Sequence, residues 1–358
     1  MWYNTKASNL LGTEYPILQG PFGGGLSSVK LVAAVSNAGG IGGYGAYTLS
    51  PHEIADIDKQ IRAATDRPYN LNLWVSDTDA IGGQATDEQY RQAKETFKPY
   101  FDEAGIAFPE KPQPFQSRFE NQLQVVLDIK PKIFSFMFGL LRPDVLEQCR
   151  RLGITTVGAA TTPAEAVALA DSGVDMIIAS GFEAGGHRPS FLASAEASTF
   201  GTFVLLQLIR EKVKTPVIAA GGIANGRGIA AALTLGADAV QIGTAFLAVD
   251  ESNALPIHKQ MLFSAAADST MLSRAFTGRL GRGITSRIAS DLAGKELHNL
   301  PFPLQTTLMS SLRKAALDKQ KNDMVLFWSG QIAPMLKHRK AKDLMQSLIE
   351  ETANYIDK

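Results

Sequence analysis

Cysteine is almost missing. Cys149 is the single one in 358 residues, so no disulfide can form within the chain and nothing requires an oxidising compartment. Neither sign of charge is in excess, since 35 basic residues stand against 35 acidic ones. That balance removes the electrostatic case for nucleic acid or an anionic membrane as partner. No apolar run approaches the ~18 residues a membrane span needs. Met1 to Leu11 holds no basic stretch followed by an apolar one, so no signal peptide is expected and a cytoplasmic protein is. A Walker loop, a G-x-G-x-x-G after a first strand, and any metal-ligand spacing of His, Cys or carboxylates are lacking too. Nucleoside triphosphates and Rossmann-type cofactors are disfavoured, and no metal is expected.

What is present is apolar and rhythmic. Apolar residues make up 45% and charged residues 20%, enough for a large core and unlike a disordered chain. The length suits one large α/β barrel with additions, or two smaller domains. Eight short apolar runs recur: Tyr15–Gln19, Ile41–Ala46, Tyr69–Trp74, Ile133–Phe138, Ile154–Ala159, Met176–Ala179, Val217–Ala220 and Ala239–Ile242. Most are too short for helices and end in Gly, Ser or Thr, as buried parallel strands do.

Helical patterns alternate with these runs. Ser27 to Ala38 keeps Val29, Val32, Ala33 and Val35 on one face and stops at Gly39. Thr162-Pro163-Ala164-Glu165 predicts a capping box with proline in the first turn, and that helix stops at Gly173. Gly226 to Leu235 stops at Gly236. The alternation predicts an α/β fold, and eight units favour a closed (β/α)8 TIM barrel, although an open doubly wound sheet has the same local signature.

Two segments break the rhythm. Residues 75–131 are expected to be an insertion after the third strand, with a polar helix near 87–104, a proline-rich stretch and a second helix near 116–128. Residues 254–358 are expected to be a mostly helical extension packing on the barrel of residues 1–253. The end, Lys337–Lys358, reads as a charged amphipathic helix.

Four clusters could carry chemistry. Gly221-Gly222, with Asn225-Gly226-Arg227-Gly228 beyond, follows the seventh run and opens a helix. Gln241-Ile242-Gly243-Thr244 ends the eighth. Side-chain-free turns let backbone N–H groups approach an anion, and barrels commonly bind phosphate after strands seven and eight. Tight turns with no ligand are the alternative, which the pairing of the two sites disfavours. The third cluster runs from Ser180 through Gly185 and Gly186 to His187, after the sixth run. His187 sits on a glycine-rich loop rather than an apolar face, where an imidazole could take a proton near neutral pH. The other histidines, His52, His258, His298 and His338, read as surface or structural. The fourth cluster is Gln19 after the first run and Asn72 on the third. An amide both donates and accepts, which suits a polar ring edge, although core amides bonded to backbone are the commoner case.

The stretches GFEAGGHRP and PVIAAGGIANGRGIAAALTLGADAVQIGTAFL resemble the nitronate monooxygenase family, formerly the 2-nitropropane dioxygenases. YPILQGP, NLNLW and the late WSGQ (Trp328 to Gln331) match as well, and the resemblance covers essentially the whole chain. The GGHRP form is similar to the first class of these enzymes. The resemblance implies a barrel with non-covalent FMN, its phosphate on Gly221, Gly222, Gly243 and Thr244, with Gln19, Asn72 and Gln331 near the flavin. It implies that His187 is the catalytic histidine. Ser180 stands where the family often has Gln, and no tyrosine stands near Phe302-Pro303-Leu304-Gln305.

The resemblance therefore implies oxidation of alkyl nitronates, such as propionate 3-nitronate, by O2 to a carbonyl compound and nitrite. Two alternatives stay open. One is an NAD(P)H-dependent reductase of quinones or enoyl thioesters; the other is a flavin carrier without catalysis. Oligomeric state is left open, a homodimer included.

Overall fold

The computed structural model describes residues 1–76 and 83–356. Eight strands form the central sheet: β1 (Ile17–Gln19), β2 (Gly42–Gly45), β3 (Tyr69–Trp74), β4 (Ile133–Met137), β5 (Thr155–Ala160), β6 (Met176–Ser180), β8 (Val217–Ala220) and β9 (Ala239–Ile242), with the two-residue β7 (Gly186–His187) between the last pairs. All eight pair in parallel in the order β1-β9-β8-β6-β5-β4-β3-β2. A parallel bridge from Leu18 to Ile41 joins β1 back to β2. There the Gln19 amide donates to the Ile41 carbonyl at 2.8 Å, and the Ile41 amide to the Ile17 carbonyl at 2.9 Å. The sheet is a closed barrel, and each of the eight predicted runs supplies one of its strands.

Successive strand residues point to opposite faces, which divides the core in two. Leu18, Ile133, Val157, Ile178, Ile218 and Ala220 fill the barrel interior. Their neighbours Ile17, Phe134, Ile177, Ala179, Val217 and Val240 pack outward under the helices. The parity also decides which polar side chains can face the mouth. Gln241 pairs in register with Leu18 and shares its inward side, whereas Gln19 pairs with Ile242 on the outward one.

Local chemistry sets the helices. The Ser28 hydroxyl accepts from the Leu31 amide and starts the helix Val29–Asn37. Thr162 accepts from the Glu165 amide and starts Pro163–Ser172, which ends at Gly173 in the left-handed region. Only half of the expected capping box forms. The Glu165 carboxylate instead accepts from the Thr161 amide and hydroxyl, both at 2.7 Å, and from the Phe191 and Leu192 amides at 2.6 and 3.0 Å. It is a buried tie between the β5 and β6 loops.

The long interval after β3 is two things rather than one insertion. Its first helix, Asp87–Ala104, packs against Leu304–Asp318 in a second apolar core with Phe97, Phe101, Leu308 and Leu312. Its second, Phe119–Ile129, packs on β3 and on the helix Pro51–Ala64, as an ordinary barrel helix does. The segment after β9 is also not wholly helical. It carries β10 (Thr270–Ser273) and β11 (Gly281–Ile284), which form a small antiparallel sheet in the order β10-β11-β7. The last helix, Ala341–Ile356, buries Leu344, Met345 and Leu348 and packs across Gly226–Thr234 and Val29–Asn37. Among the described residues no helix is long and apolar enough to cross a membrane.

Candidate active site

The C-terminal ends of the strands open into one cavity of about 460 Å³. The loops after β6, β8 and β9 form one side of it. Gly221 and Gly222 have φ of +110° and +68°, a turn that ordinary side chains rarely adopt. A Cβ built on Gly243 would meet nothing within 4 Å, and one on Gly222 nothing nearer than the Glu183 Cβ at 3.5 Å. All three glycines line the cavity, and the space beside Gly222 and Gly243 leaves room for an anion to approach the backbone. Thr244 starts a short helix, and its hydroxyl accepts from the Gly330 amide at 2.9 Å.

The loop after β6 carries His187 and is held from beneath by charge. Buried Arg188 donates to the carbonyls of Ser180, Gly181 and Ser198. Buried Arg282 donates to the Phe182 carbonyl at 3.0 and 3.2 Å and lies over the Phe182 ring. The Glu183 carboxylate accepts from the amide and hydroxyl of Thr202, both at 2.8 Å, at the start of the helix Thr202–Arg210. Gly185 passes so close to the chain at Ser329-Gly330 that a Cβ would lie 2.6 Å from its backbone. A loop this thoroughly tied places a side chain reproducibly, and the side chain it places is His187.

β7 then pairs His187 with Gly281 of β11. The imidazole lies in an aromatic box. Its centroid is 4.9 Å from Trp328, 5.3 Å from Trp74 and 5.8 Å from Phe302, each edge-on. A Cβ at Gly281 would come within 2.7 Å of the Trp328 ring, so the indole reaches the histidine because residue 281 lacks a side chain. Nε2 lies 2.9 Å from the Thr277 hydroxyl, which donates in turn to the Arg279 carbonyl at 3.0 Å. With its proton so used, the hydroxyl accepts from Nε2–H and leaves Nδ1 with a free lone pair. Burial, helped by the nearby charges of Arg279 and Arg274, pushes the His187 pKa down to about 3. The ring is a neutral imidazole at neutral pH.

Around the box lie groups that no local pattern marks. The Tyr47 ring stacks flat on Trp74 with 3.6 Å between centroids, and burial pushes its phenol up to about 12. The buried Arg279 guanidinium lies over Phe138 and Phe302, at 4.2 and 4.4 Å from their centroids. His258, expected to be surface or structural, is buried and lines the cavity.

Of the residues singled out from sequence, the cavity is lined by His187, Asn72, Ser180 and Gly185, by Gly221 and Gly222, and by Gln241, Gly243 and Thr244. Two are not brought there. Gln19 is wholly buried on the outward side, its Oε1 accepting from the Gly43 amide at 2.8 Å and its Nε2 donating to the Gly20 carbonyl. Gln331 is exposed, and only its backbone amide is tied in, to the Glu183 carbonyl at 3.0 Å. Its neighbours Ser329 and Gly330 line the cavity instead.

Two cavity-lining acceptors, Asn72 Oδ1 and Gln241 Oε1, are buried with no hydrogen-bond partner among the described residues. Leaving such groups unpaired costs on the order of 1–3 kcal/mol each. They fit an occupant with N–H donors on a flat edge, as the pyrimidine end of a flavin has. The glycine turns fit its phosphate.

Comparison with known proteins agrees with this geometry. The family model for nitronate monooxygenase matches residues 4–351. A probable nitronate monooxygenase of Staphylococcus haemolyticus is 33% identical over 353 residues, covering 98% of each chain. The solved structure of a nitroalkane oxidase from Streptomyces ansochromogenes superposes with a TM-score of 0.88 at 34% identity, covering 97% of this chain and 98% of that one. The structure of FabK from Thermotoga maritima superposes with a TM-score of 0.75 at 25% identity, covering 99% and 97%. The chain therefore belongs to the nitronate monooxygenase family and is a flavin oxidoreductase.

Proposed function

We propose that the protein is a cytoplasmic, FMN-dependent nitronate monooxygenase. It would convert an alkyl nitronate, such as propionate 3-nitronate or the anion of a small nitroalkane, with O2 to a carbonyl compound and nitrite. The observation that carries this reading is a neutral imidazole, fixed in an aromatic box, on the same cavity as two glycine turns open to an anion. Gly221, Gly222, Gly243 and Thr244 would hold the phosphate of FMN, and the acceptor atoms of Asn72 and Gln241 would face donors on its ring. When bound, FMN supplies the electron acceptor that a nitronate needs.

The chain's own residues do the rest. Trp74, Phe302 and Trp328 leave His187 half-buried and favour its unprotonated form. Thr277 holds Nε2–H, so the α-proton of a neutral nitroalkane goes to Nδ1. The charge that develops on the nitro oxygens falls in the field of buried Arg279, which offsets part of the weakness of so desolvated a base. A substrate that arrives as nitronate needs only the binding and the field.

A second reading, NAD(P)H-dependent reduction of quinones or enoyl thioesters, is favoured by one feature. Beside His187 the cavity is also lined by the apolar side chains Leu247, Leu312 and Met324, which suit a longer substrate. The purified protein should be yellow and release FMN on denaturation. Anaerobic additions then separate the readings. Bleaching by nitronate supports the first, bleaching by NAD(P)H alone supports the second, and a colourless protein that takes up no FMN refutes both.

A further inference from the structure

Tyr47 carries a hydroxyl that the packing around it does not need. The residue stands just past β2, at the end of the barrel where the loops after β6, β8 and β9 lie, and it lines the same cavity as His187. Three contacts fix it. Its ring lies flat on Trp74. The ring edge rests against Gly23 of the β1 loop, where a Cβ would intrude on it. Its backbone is held from the helical layer, because the buried Gln122 amide donates to the carbonyls of Tyr47 and Leu49 at 2.9 and 2.7 Å. A side chain locked from three sides keeps its polar end in one place.

None of these contacts uses the hydroxyl. Phe138 and Phe302 pack on the same indole without one, so phenylalanine at position 47 would serve the stack as well. The phenol oxygen has no hydrogen-bond partner among the described residues, and it opens on the cavity rather than being sealed in protein. The Thr277 hydroxyl, by contrast, is committed to His187 and to the Arg279 carbonyl. The phenol is also close to the reacting centre. Trp74 carries Tyr47 on its face and has the His187 ring 5.3 Å away. Beyond the larger effect of burial, the charge of Arg279 acts on both groups and lowers the pKa of each. With burial holding its pKa up at about 12, the phenol stays protonated and can only be a donor to an anion. The indole N–H groups of Trp74 and Trp328 belong to the same box, but a phenol is the more acidic donor and gains more as the oxygen it faces becomes charged.

We propose that Tyr47 is a catalytic residue whose hydroxyl donates a hydrogen bond to a nitro oxygen of the substrate bound beside His187. As the α-proton leaves for His187 Nδ1, the C–H electron pair moves into a C=N bond and the negative charge settles on the nitro oxygens. The Tyr47 O–H bond stays intact, and its hydrogen bond strengthens as that charge grows. That the oxygen belongs to a nitro group rests on the nitronate reading, whereas the phenol's role as a donor to a bound oxyanion does not.

The test uses the FMN holoenzyme and Y47F, which keeps the ring and its stack and removes the hydroxyl alone. One nitroalkane is assayed both as the neutral compound and as its preformed nitronate. With the neutral form the charge appears only in the transition state, so kcat should fall about tenfold with KM little changed. With the nitronate the charge is already present on binding, so KM should rise about tenfold with kcat little changed. A hydrogen bond to a charged group commonly contributes this much. A second readout needs no turnover. Nitrate, a planar oxyanion with the same N–O groups, is titrated into the yellow enzyme and followed by flavin absorbance, and it should bind about tenfold more weakly to Y47F. Unchanged kinetics in Y47F, or the same pattern of loss in kcat and KM for both forms, overturns the proposal, because a ring that only shapes the cavity would act on both alike. Loss of flavin from Y47F overturns it too, since the hydroxyl would then be holding the cofactor. Should the wild type oxidise neither form, the functional reading fails and nitrate decides the donor. Weaker binding to Y47F then supports it, and equal behaviour of the two proteins, absence of binding included, overturns it.

Discussion

The two sides of the cavity are built in different ways. The side after β8 and β9 is nearly all backbone: Gly221, Gly222 and Gly243 lie in short turns directly after their strands, and Thr244 opens the helix that follows. The His187 side is nearly all side chain, gathered from β3, the β6 loop, β11, the Phe302 region and the Trp328 segment. A backbone site is specified locally, tolerates change in its neighbours and fails when a side chain intrudes. A side-chain site depends on contacts distant in sequence and should fail by degrees. The difference predicts how each half breaks.

The largest effect is expected on the backbone side. Gly222→Asp or Gly243→Asp should abolish flavin retention. Either change puts a carboxylate where the amides must approach a dianion, a like-charge contact costing on the order of several kcal/mol at a partly buried site. The readout is the absorbance of the purified variant and its uptake of added FMN. Retention of flavin with unchanged affinity in both variants would place the phosphate elsewhere.

On the side-chain side, His187→Asn should keep the flavin and lose turnover. For a neutral nitroalkane kcat/KM should fall by about 10²–10⁴, the usual contribution of a general base. The preformed nitronate of the same compound has already lost its proton and should suffer less. If both forms fall equally, His187 positions substrate rather than accepting a proton. If neither falls, the box around it is structural.

A smaller step sharpens the comparison further. Thr277→Val removes the one hydrogen-bond partner found for His187 Nε2 and keeps the residue's shape. A neutral hydrogen bond contributes about 1 kcal/mol, so kcat/KM on the neutral nitroalkane should drop by roughly five- to tenfold. The drop on the nitronate should be smaller, and Thr277→Ser should restore most of it. An equal loss on both forms would mean that Thr277 shapes the cavity instead of fixing the imidazole tautomer.

The same contrast explains what could be read from sequence. The barrel was legible because each strand is a short apolar run closed by turn residues, and the glycine turns were legible because they follow those runs directly. Gln19 was misplaced because its neighbour Leu18 takes the inward side of β1; one step of strand parity sends the amide outward. Gln331 sits in a matching motif, yet its small neighbours Ser329 and Gly330 are what reach the cavity. The small sheet escaped because Gly281–Ile284 has too little apolar alternation to announce a strand, and one of its two partners, Gly186–His187, lies far away in sequence. Trp74, Trp328, Tyr47 and His258 meet only through tertiary packing, and nothing local marks a histidine as a cavity wall.

The smallest expected effect is a flat line, and it tests the aromatic box directly. An unperturbed histidine titrates near 6.5, so an ordinary base would give kcat/KM an acid limb in the physiological range. For His187, burial and the charges of Arg279 and Arg274 favour the neutral form and move its pKa down to about 3. A base must be unprotonated in the free enzyme, and with a lowered pKa it remains so until the solution is strongly acid. Between about pH 5 and 7, kcat/KM on a nitroalkane that stays neutral throughout should change by less than about twofold. Stability should not be flat over the same interval. The unfolded chain takes up protons at its histidines near 6.5 that folded His187 and His258 refuse, so stability is fully present above that value and declines as pH falls toward 3 and 4. Thermal unfolding at pH 7 and pH 5 measures the second trend, and the kcat/KM profile the first. An acid limb near 6.5 that disappears in His187→Asn would mean that the imidazole is solvated in the working enzyme and that Trp74, Phe302 and Trp328 do not close around it.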